Sequence, residues 1–318
     1  MDSHRARPRV RPGGRRRFLC TVLASAVLVG ATAAGTARVK AQAHADAGVV
    51  SSSASSTASP ATGEEVSVAV ASEPSADRDA LLAGAMRSVT VEDGADVSVA
   101  VLDMASGAGA AYGDGAFDTA SIVKVDILAA LLLQAQDADR RLTARERTYA
   151  TAMIEDSDNA SATALWDAIG GSAGLDAANR RFGLTGTTGG DGGLWGLTRT
   201  TAADQLVLLR QVFGDDSELG SASRTYLRTL MGRIATGQRW GVSAAASVPE
   251  SGWALKNGWL PRSTTGLWDV NSIGRITVDG RDRLVAVLSC GSTTKARGVA
   301  LVEAAAKAAV SAIRDTDA

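Results

Sequence analysis

SIVKVDILAALLLQAQ, residues 121–136, decides the fold, because the hydrophobic period changes on entering it. Upstream, DVSVAVLDMASG (96–107) alternates at the two-residue repeat of a strand, and GAAYGDG (109–115) can turn back as its hairpin partner. From Ser121 onward, leucine, alanine and glutamine at helical spacing take over, uninterrupted by glycine or proline. TARERTYATAMIED (143–156), NASATALWDAIG (159–170) and SAGLDAANRRFGL (172–184) continue as helices, the last with Gly183 as its C-cap. A glycine-rich loop, 186–196, leads into TTAADQLVLLRQVFG (200–214), which Thr200 or Thr201 can cap, and a further helix covers 221–234.

Alternation then returns in WALKNGW (253–259), WDVNSIGRITVD (268–279) and RLVAVLSCG (283–291). A closing alanine-rich helix from Thr294 carries Val299, Val302, Ala306 and Val310 on one stripe, and a short helix over 76–89 precedes the first strand. Helix, two strands, a helical block, three strands and a helix do not make a parallel doubly wound sheet. They predict an α+β fold with two subdomains: a five-stranded antiparallel sheet flanked by N- and C-terminal helices, with an all-helical subdomain, about 121–245, inserted between strands 2 and 3. The folded domain is expected over 76–318.

The N-terminal part has a different character. Seven arginines between Arg5 and Arg17 precede an apolar run from Phe18 to Ala34 and the small-residue sequence Ala43-His44-Ala45. Residues 1–45 read as a secretory leader, and RRRFL (15–19) resembles a twin-arginine export signal; retention as an anchor is the alternative. Residues 46–75, with SSSASSTASP at 51–60, lack the bulk to offset their ordering entropy and read as a disordered linker. The expected location is secreted, or outside the cytoplasmic membrane.

Loss of the leader restricts the chemistry. His4 and His44 both lie in it, so the mature chain would hold no Ser-His-Asp triad, Cys-His pair or histidine-ligated zinc. Cys20 leaves with it, and Cys290, inside an apolar strand, reads as a small hydrophobe. Nine of the 33 basic residues but only one of the 34 acidic ones fall in 1–45, which gives the remainder a formal net charge of −9. That charge offers no basic footprint for nucleic acid. Only Lys124, Lys256, Lys295 and Lys307 remain as lysines, in a chain that otherwise uses arginine. A guanidinium cannot accept a proton, so lysines kept in such a background point to amine chemistry; Lys295 and Lys307 read as surface exceptions.

Three short elements carry that chemistry. Ser121-Ile-Val-Lys124 sets a hydroxyl and an amine three residues apart at a helix N-terminus, where free N–H groups favour negative charge. Ser157-Asp158-Asn159 falls at a helix junction, where the same residues would serve as an ordinary N-cap. Lys256-Asn257-Gly258 lies in a strand, where the plain reading is an edge lysine.

In this order the three resemble the serine β-lactamase and penicillin-binding superfamily, within it the class A β-lactamase-like branch. The resemblance runs from about Ala76 to the C-terminus through ASIVK, SDNAS and IGGSAGLDAANRRFGL. It implies Ser121 as nucleophile, Lys124 as its proton acceptor, Ser157 as proton relay to the leaving nitrogen and Lys256 as a cation near Ser157 and the substrate carboxylate. Asn159, Asn257, Gly258 and Trp259 would bind substrate, the N–H groups of Ser121 and Trp259 forming the oxyanion hole, and Asp158 would order its own loop.

The sequence departs from the branch in three places. The third motif has Asn257 where a hydroxyl is usual. The loop glutamate that activates water is missing from GTTGGDGGLWGLTRTT (186–201), whose one carboxylate, Asp191, is a weak catalytic candidate and reads as a turn residue. The segment from Ser121 to Ser157 is short, which predicts an open cleft. Trp195 and Trp259 should border it, at least one facing substrate, while Trp166 belongs to the core.

These readings predict an exported serine hydrolase that acts through a Ser121 acyl-enzyme on β-lactams or related amides. A D-alanyl-D-alanine peptidase or esterase is one alternative, and a non-hydrolytic penicillin-binding sensor of the envelope another. The expected partner is a small β-lactam or a peptidoglycan-type amide. No nucleic acid, metal, organic cofactor or mature transmembrane domain is implied, and the chain is expected to be a monomer.

Overall fold

Among the described residues, 75–314, a computed structural model turns the two hydrophobic periods into seven strands and eight α-helices. The expected leader and all of the expected linker except Ser75 lie outside the described residues. Helix α1 (Ser75–Met86) is followed by the hairpin β1 (Asp96–Asp103) and β2 (Gly109–Tyr112). Strands β5 (Trp253–Pro261), β6 (Trp268–Val278) and β7 (Arg281–Ser292) complete an antiparallel sheet of order β2-β1-β7-β6-β5, and α8 (Lys295–Arg314) closes the chain.

Alternation explains why the sheet is covered on both faces. Ala100, Leu284, Ala286 and Leu288 join one apolar cluster with the inserted helices. Their neighbours Val99, Val101, Val285 and Val287 join a second cluster with α1 and α8. All eight are at most 1 % exposed, and each buried valine or leucine contributes about 1.5–3 kcal/mol.

The inserted block comprises α2 (Val123–Asp137), α3 (Ala144–Glu155), α4 (Asn159–Ile169), α5 (Gly171–Phe182), α6 (Ala202–Phe213) and α7 (Ser221–Met231). Its insertion point differs from the expected one. A two-residue strand, β3 (Phe117–Asp118), precedes the block and pairs with β4 (Arg199–Thr200) between α5 and α6. The block is therefore not all-helical, and α6 and α7 pack against the sheet itself. Elements of two residues have no period to read, which is why alternation did not expose them.

Helix ends follow local chemistry. Thr143 and Glu146 form a reciprocal capping box on α3, and Thr201 caps α6 through the Asp204 N–H at 3.1 Å. Gly183, at φ 82°, ends α5 in the left-handed conformation expected of it.

Candidate active site

Ser121 sits at a junction. Residues Ala120–Ile122 form a 3-10 turn running directly into α2, and Ala120 has φ 47°, a left-handed conformation that costs an L-residue roughly 1–2 kcal/mol. Asn271 of β6, fully buried, fixes the approach by donating to the Asp118 and Thr119 carbonyls at 2.9 and 3.0 Å. On the other side β5 presses in. A Cβ on Gly258 would come within 2.8 Å of the Ser121 nitrogen and 2.7 Å of the Thr119 carbonyl, so only glycine permits this approach.

Lys124 and Lys256 reach the same place from α2 and β5, each with 0 % exposure. Lys124 Nζ donates to the Ser157 carbonyl at 2.6 Å, Ser157 Oγ at 3.1 Å and Asn159 Oδ1 at 2.8 Å. Lys256 Nζ donates to the same Ser157 Oγ at 3.0 Å and to the Asn257 carbonyl at 3.0 Å. Burial pushes the Lys124 amine down to about 8, against the pull of Asp158. Burial, then the charge of Lys124, holds Lys256 well below the ordinary lysine range.

Ser157 holds the bridging position at φ 59°, a second strained backbone. Asp158 next to it caps α4 by accepting from the Ser161 N–H at 2.7 Å, and hydrogen bonding from Ser161 holds its carboxyl below the usual range. This bond is the ordinary N-cap expected at the junction. Asn159, exposed, borders the cavity beside Ser121.

That cavity, about 320 Å³, has a largely apolar wall of Leu194, Trp195, Leu197, Trp259 and Leu260. Leu194 is 58 % exposed at its rim. The Trp195 indole N–H donates to Thr163 Oγ1 at 3.2 Å, and its ring lies 5.0 Å from Lys124 Nζ. Trp166, by contrast, is buried core.

The motif residues do not all gather as expected. Ser121 Oγ has no hydrogen-bond partner among the described residues, because the Lys124 ammonium is engaged by Ser157 and Asn159. Asn257 is fully buried and outside the cavity wall. Its Nδ2 donates to the Gln238 and Trp240 carbonyls at 2.7 and 2.9 Å, so its amide holds the 238–240 segment. Asp191 is exposed and likewise outside the wall, and none of the residues lining the cavity carries a carboxyl group. Cys290 is half-buried, with burial raising its thiol.

Two residues escaped the sequence reading. Asn271 sits in an apolar strand with no motif around it. Lys295, read as surface, places Nζ 3.7 Å from the Trp259 ring centroid and 5.9 Å from that of Trp240, and desolvation lowers its amine. The signal that could have found it is its position three residues past the last strand, at the first residue of α8.

Solved structures share this arrangement of elements. A single-residue mutant of the class A β-lactamase of the last common ancestor of Gram-negative bacteria aligns at 23 % identity over 74 % of this chain and 98 % of that one, TM-score 0.60. A β-lactamase from Xanthomonas campestris pv. campestris gives 23 %, 75 %, 98 % and 0.59. A mutant of PBP-A, an acyl-enzyme complex with penicillin G, gives 21 %, 74 %, 97 % and 0.63. A Mycobacterium tuberculosis protein named as a lipoprotein, LppW, is 34 % identical over 112 residues, 35 % of this chain and 36 % of that protein, so the match spans about a third of its length. The model described as the Beta-lactamase enzyme family matches residues 144–313, a stretch that includes Ser157 and Lys256 and begins after Ser121 and Lys124. With more than half of its length so matched, the chain belongs to the β-lactamase enzyme family.

Proposed function

We propose that the chain is an exported serine hydrolase that opens β-lactams or related amides through an acyl-enzyme on Ser121. The observation that carries this reading is the pair of buried lysines sharing Ser157 Oγ beside Ser121. Ser121 Oγ bonds to the amide carbon, its proton passes to neutral Lys124, and the oxyanion takes the N–H groups of Ser121 and Trp259. The C–N bond then breaks, and Ser157, placed between the two amines, hands its proton to the leaving nitrogen and takes back the one Lys124 received, leaving Lys124 neutral. Water releases the acyl group and regenerates Ser121. Asn159 is free to donate its amide N–H groups to the substrate acyl amide, and Lys295 offers positive charge on the far side of Trp259.

A second reading has its own support. The cavity wall carries no carboxyl group to activate water, which favours a long-lived acyl-enzyme of the penicillin-binding kind and a D-alanyl-D-alanine peptidase or esterase role. Export is supported by the arginine-rich, apolar N-terminal sequence. Labelling with a fluorescent penicillin tests the common step: the wild type should retain label after denaturation and Ser121→Ala should not. Equal labelling of both, or none of either, would contradict the proposal.

A further inference from the structure

Asp126 lies two residues beyond Lys124 on α2, on the side away from the cavity, and is 1 % exposed. It makes one hydrogen bond, accepted at Oδ2 from Asn179 Nδ2 of α5 at 3.0 Å. The other oxygen of each side chain, Asp126 Oδ1 and Asn179 Oδ1, is buried without a partner. Two acceptors left unsatisfied cost about 1–3 kcal/mol each, and on side chains already joined by one hydrogen bond a single proton shared between them removes both deficits.

We infer that Asp126 is held as a neutral carboxylic acid that donates from Oδ1 to Asn179 Oδ1 while accepting from Nδ2, a two-bond acid–amide pair that positions the wall of the cavity. The charged groups acting on Asp126 agree. Asp176 of α5 and Asp204 of α6 both disfavour its ionisation, and no cation from α3, α4 or α7, which also pack on α2, offsets them. Burial, the largest cause, raises its carboxyl to about 7.

The same two acids suspend the glycine-rich segment that carries Leu194 and Trp195. Asp176 Oδ1 accepts from the Gly189 N–H at 2.8 Å. Asp204 Oδ2 accepts from the Gly186 N–H at 2.8 Å and from Thr187 Oγ1 at 2.6 Å. Gly189 lies so close to α5 that a Cβ there would meet Ser172 at 2.8 Å. Ionising Asp126 removes its donation to Asn179 Oδ1, leaving the one bond from Nδ2, and adds a third negative charge behind these supports, so the Trp195 wall loosens as pH rises through about 7. The sign follows from linkage: a carboxyl ordinarily near 3.8 but near 7 when folded contributes stability that is lost as pH rises between those values.

This pairing does not depend on acyl-enzyme chemistry, and its test needs no substrate. The full chain is titrated as wild type, Asp126→Asn and Asp126→Ala, following the fluorescence that disappears in a matched Trp195→Phe background, together with the melting temperature. The wild-type Trp195 signal should step near pH 7. Asp126→Asn, whose amide can make both bonds with Asn179, should keep the low-pH signal through pH 7, leaving only the change near pH 8 that Lys124 beside Trp195 produces, and should gain melting temperature over wild type as pH is raised to 7. Asp126→Ala should show the loosened signal at every pH. A pH-independent wild type, an Asp126→Asn chain that behaves like Asp126→Ala or fails to fold, or a carbon-13 titration showing the Asp126 carboxyl ionised at pH 5 would each overturn it.

Discussion

Lys124 and Lys256 converge on one oxygen: their Nζ atoms lie 3.1 and 3.0 Å from Ser157 Oγ. Burial disfavours charge on either amine, and the charge of Lys124 disfavours it further on Lys256, which is why both fall below the ordinary lysine range. Once one is neutral, the hydroxyl can donate to it while accepting from the other. The acylation rate should therefore rise with pH through about 8 as Lys124 loses its proton. Lys124→Arg, which keeps the charge but cannot give it up, should slow acylation by about 100-fold or more and flatten that rise; stopped-flow labelling across pH checks both.

The strained backbone at Ser157 separates its two roles. Ser157→Ala removes the shared hydroxyl and keeps the cost of φ 59°, whereas Ser157→Gly removes both. Acylation should fall equally in the two variants, by about 100-fold, while the glycine variant should be more stable than the alanine one by about 1 kcal/mol in urea unfolding.

Lys295 should act on substrate charge. Held over Trp259, it would meet the anionic end of a ligand that reached past the β5 edge. Lys295→Ala should raise KM about 10-fold for a penicillin with a free carboxylate and leave its methyl ester unchanged, an effect of the size expected for a partly desolvated cation. Equal effects on both ligands would mark Lys295 as packing alone.

Asn257 should matter to folding more than to binding. Asn257→Thr loses two bonds to the 238–240 carbonyls, so unfolding free energy should drop by about 1–3 kcal/mol without a gain in penicillin acylation. A faster-acylating Thr variant of unchanged stability would restore a substrate role to this position.

Much of this was legible in the sequence because long periodic segments report their own burial. The alternation around Val99, Val101, Val285 and Val287 and the helical run after Ser121 predicted the sheet and the main helices with small shifts at their ends. The β3–β4 pair and the 3-10 turn at Ala120 were not legible, since neither is long enough to carry a period. At the site, motif spacing singled out Lys124, Ser157 and Lys256, which share hydrogen bonds, and Ser121, which borders the adjoining cavity. It could not show which oxygen each lysine would choose, because that depends on the strained turns at Ala120 and Ser157. Nor does a strand motif say that the Asn257 side chain also holds the neighbouring 238–240 loop. The neutrality of Asp126 was out of reach altogether, since it depends on Asn179 and two acids gathered from three helices.

Acylation of Ser121 is the step on which the proposed chemistry turns. Its most direct test is intact-mass spectrometry of the wild type and Ser121→Ala, followed from seconds to hours after adding penicillin G. A single adduct of one penicillin mass is predicted on the wild type, mapped to the peptide containing Ser121 and clearing slowly because no carboxyl lines the cavity, with no adduct on the variant. A wild type that consumes penicillin with no adduct, or an adduct that survives Ser121→Ala, would contradict it.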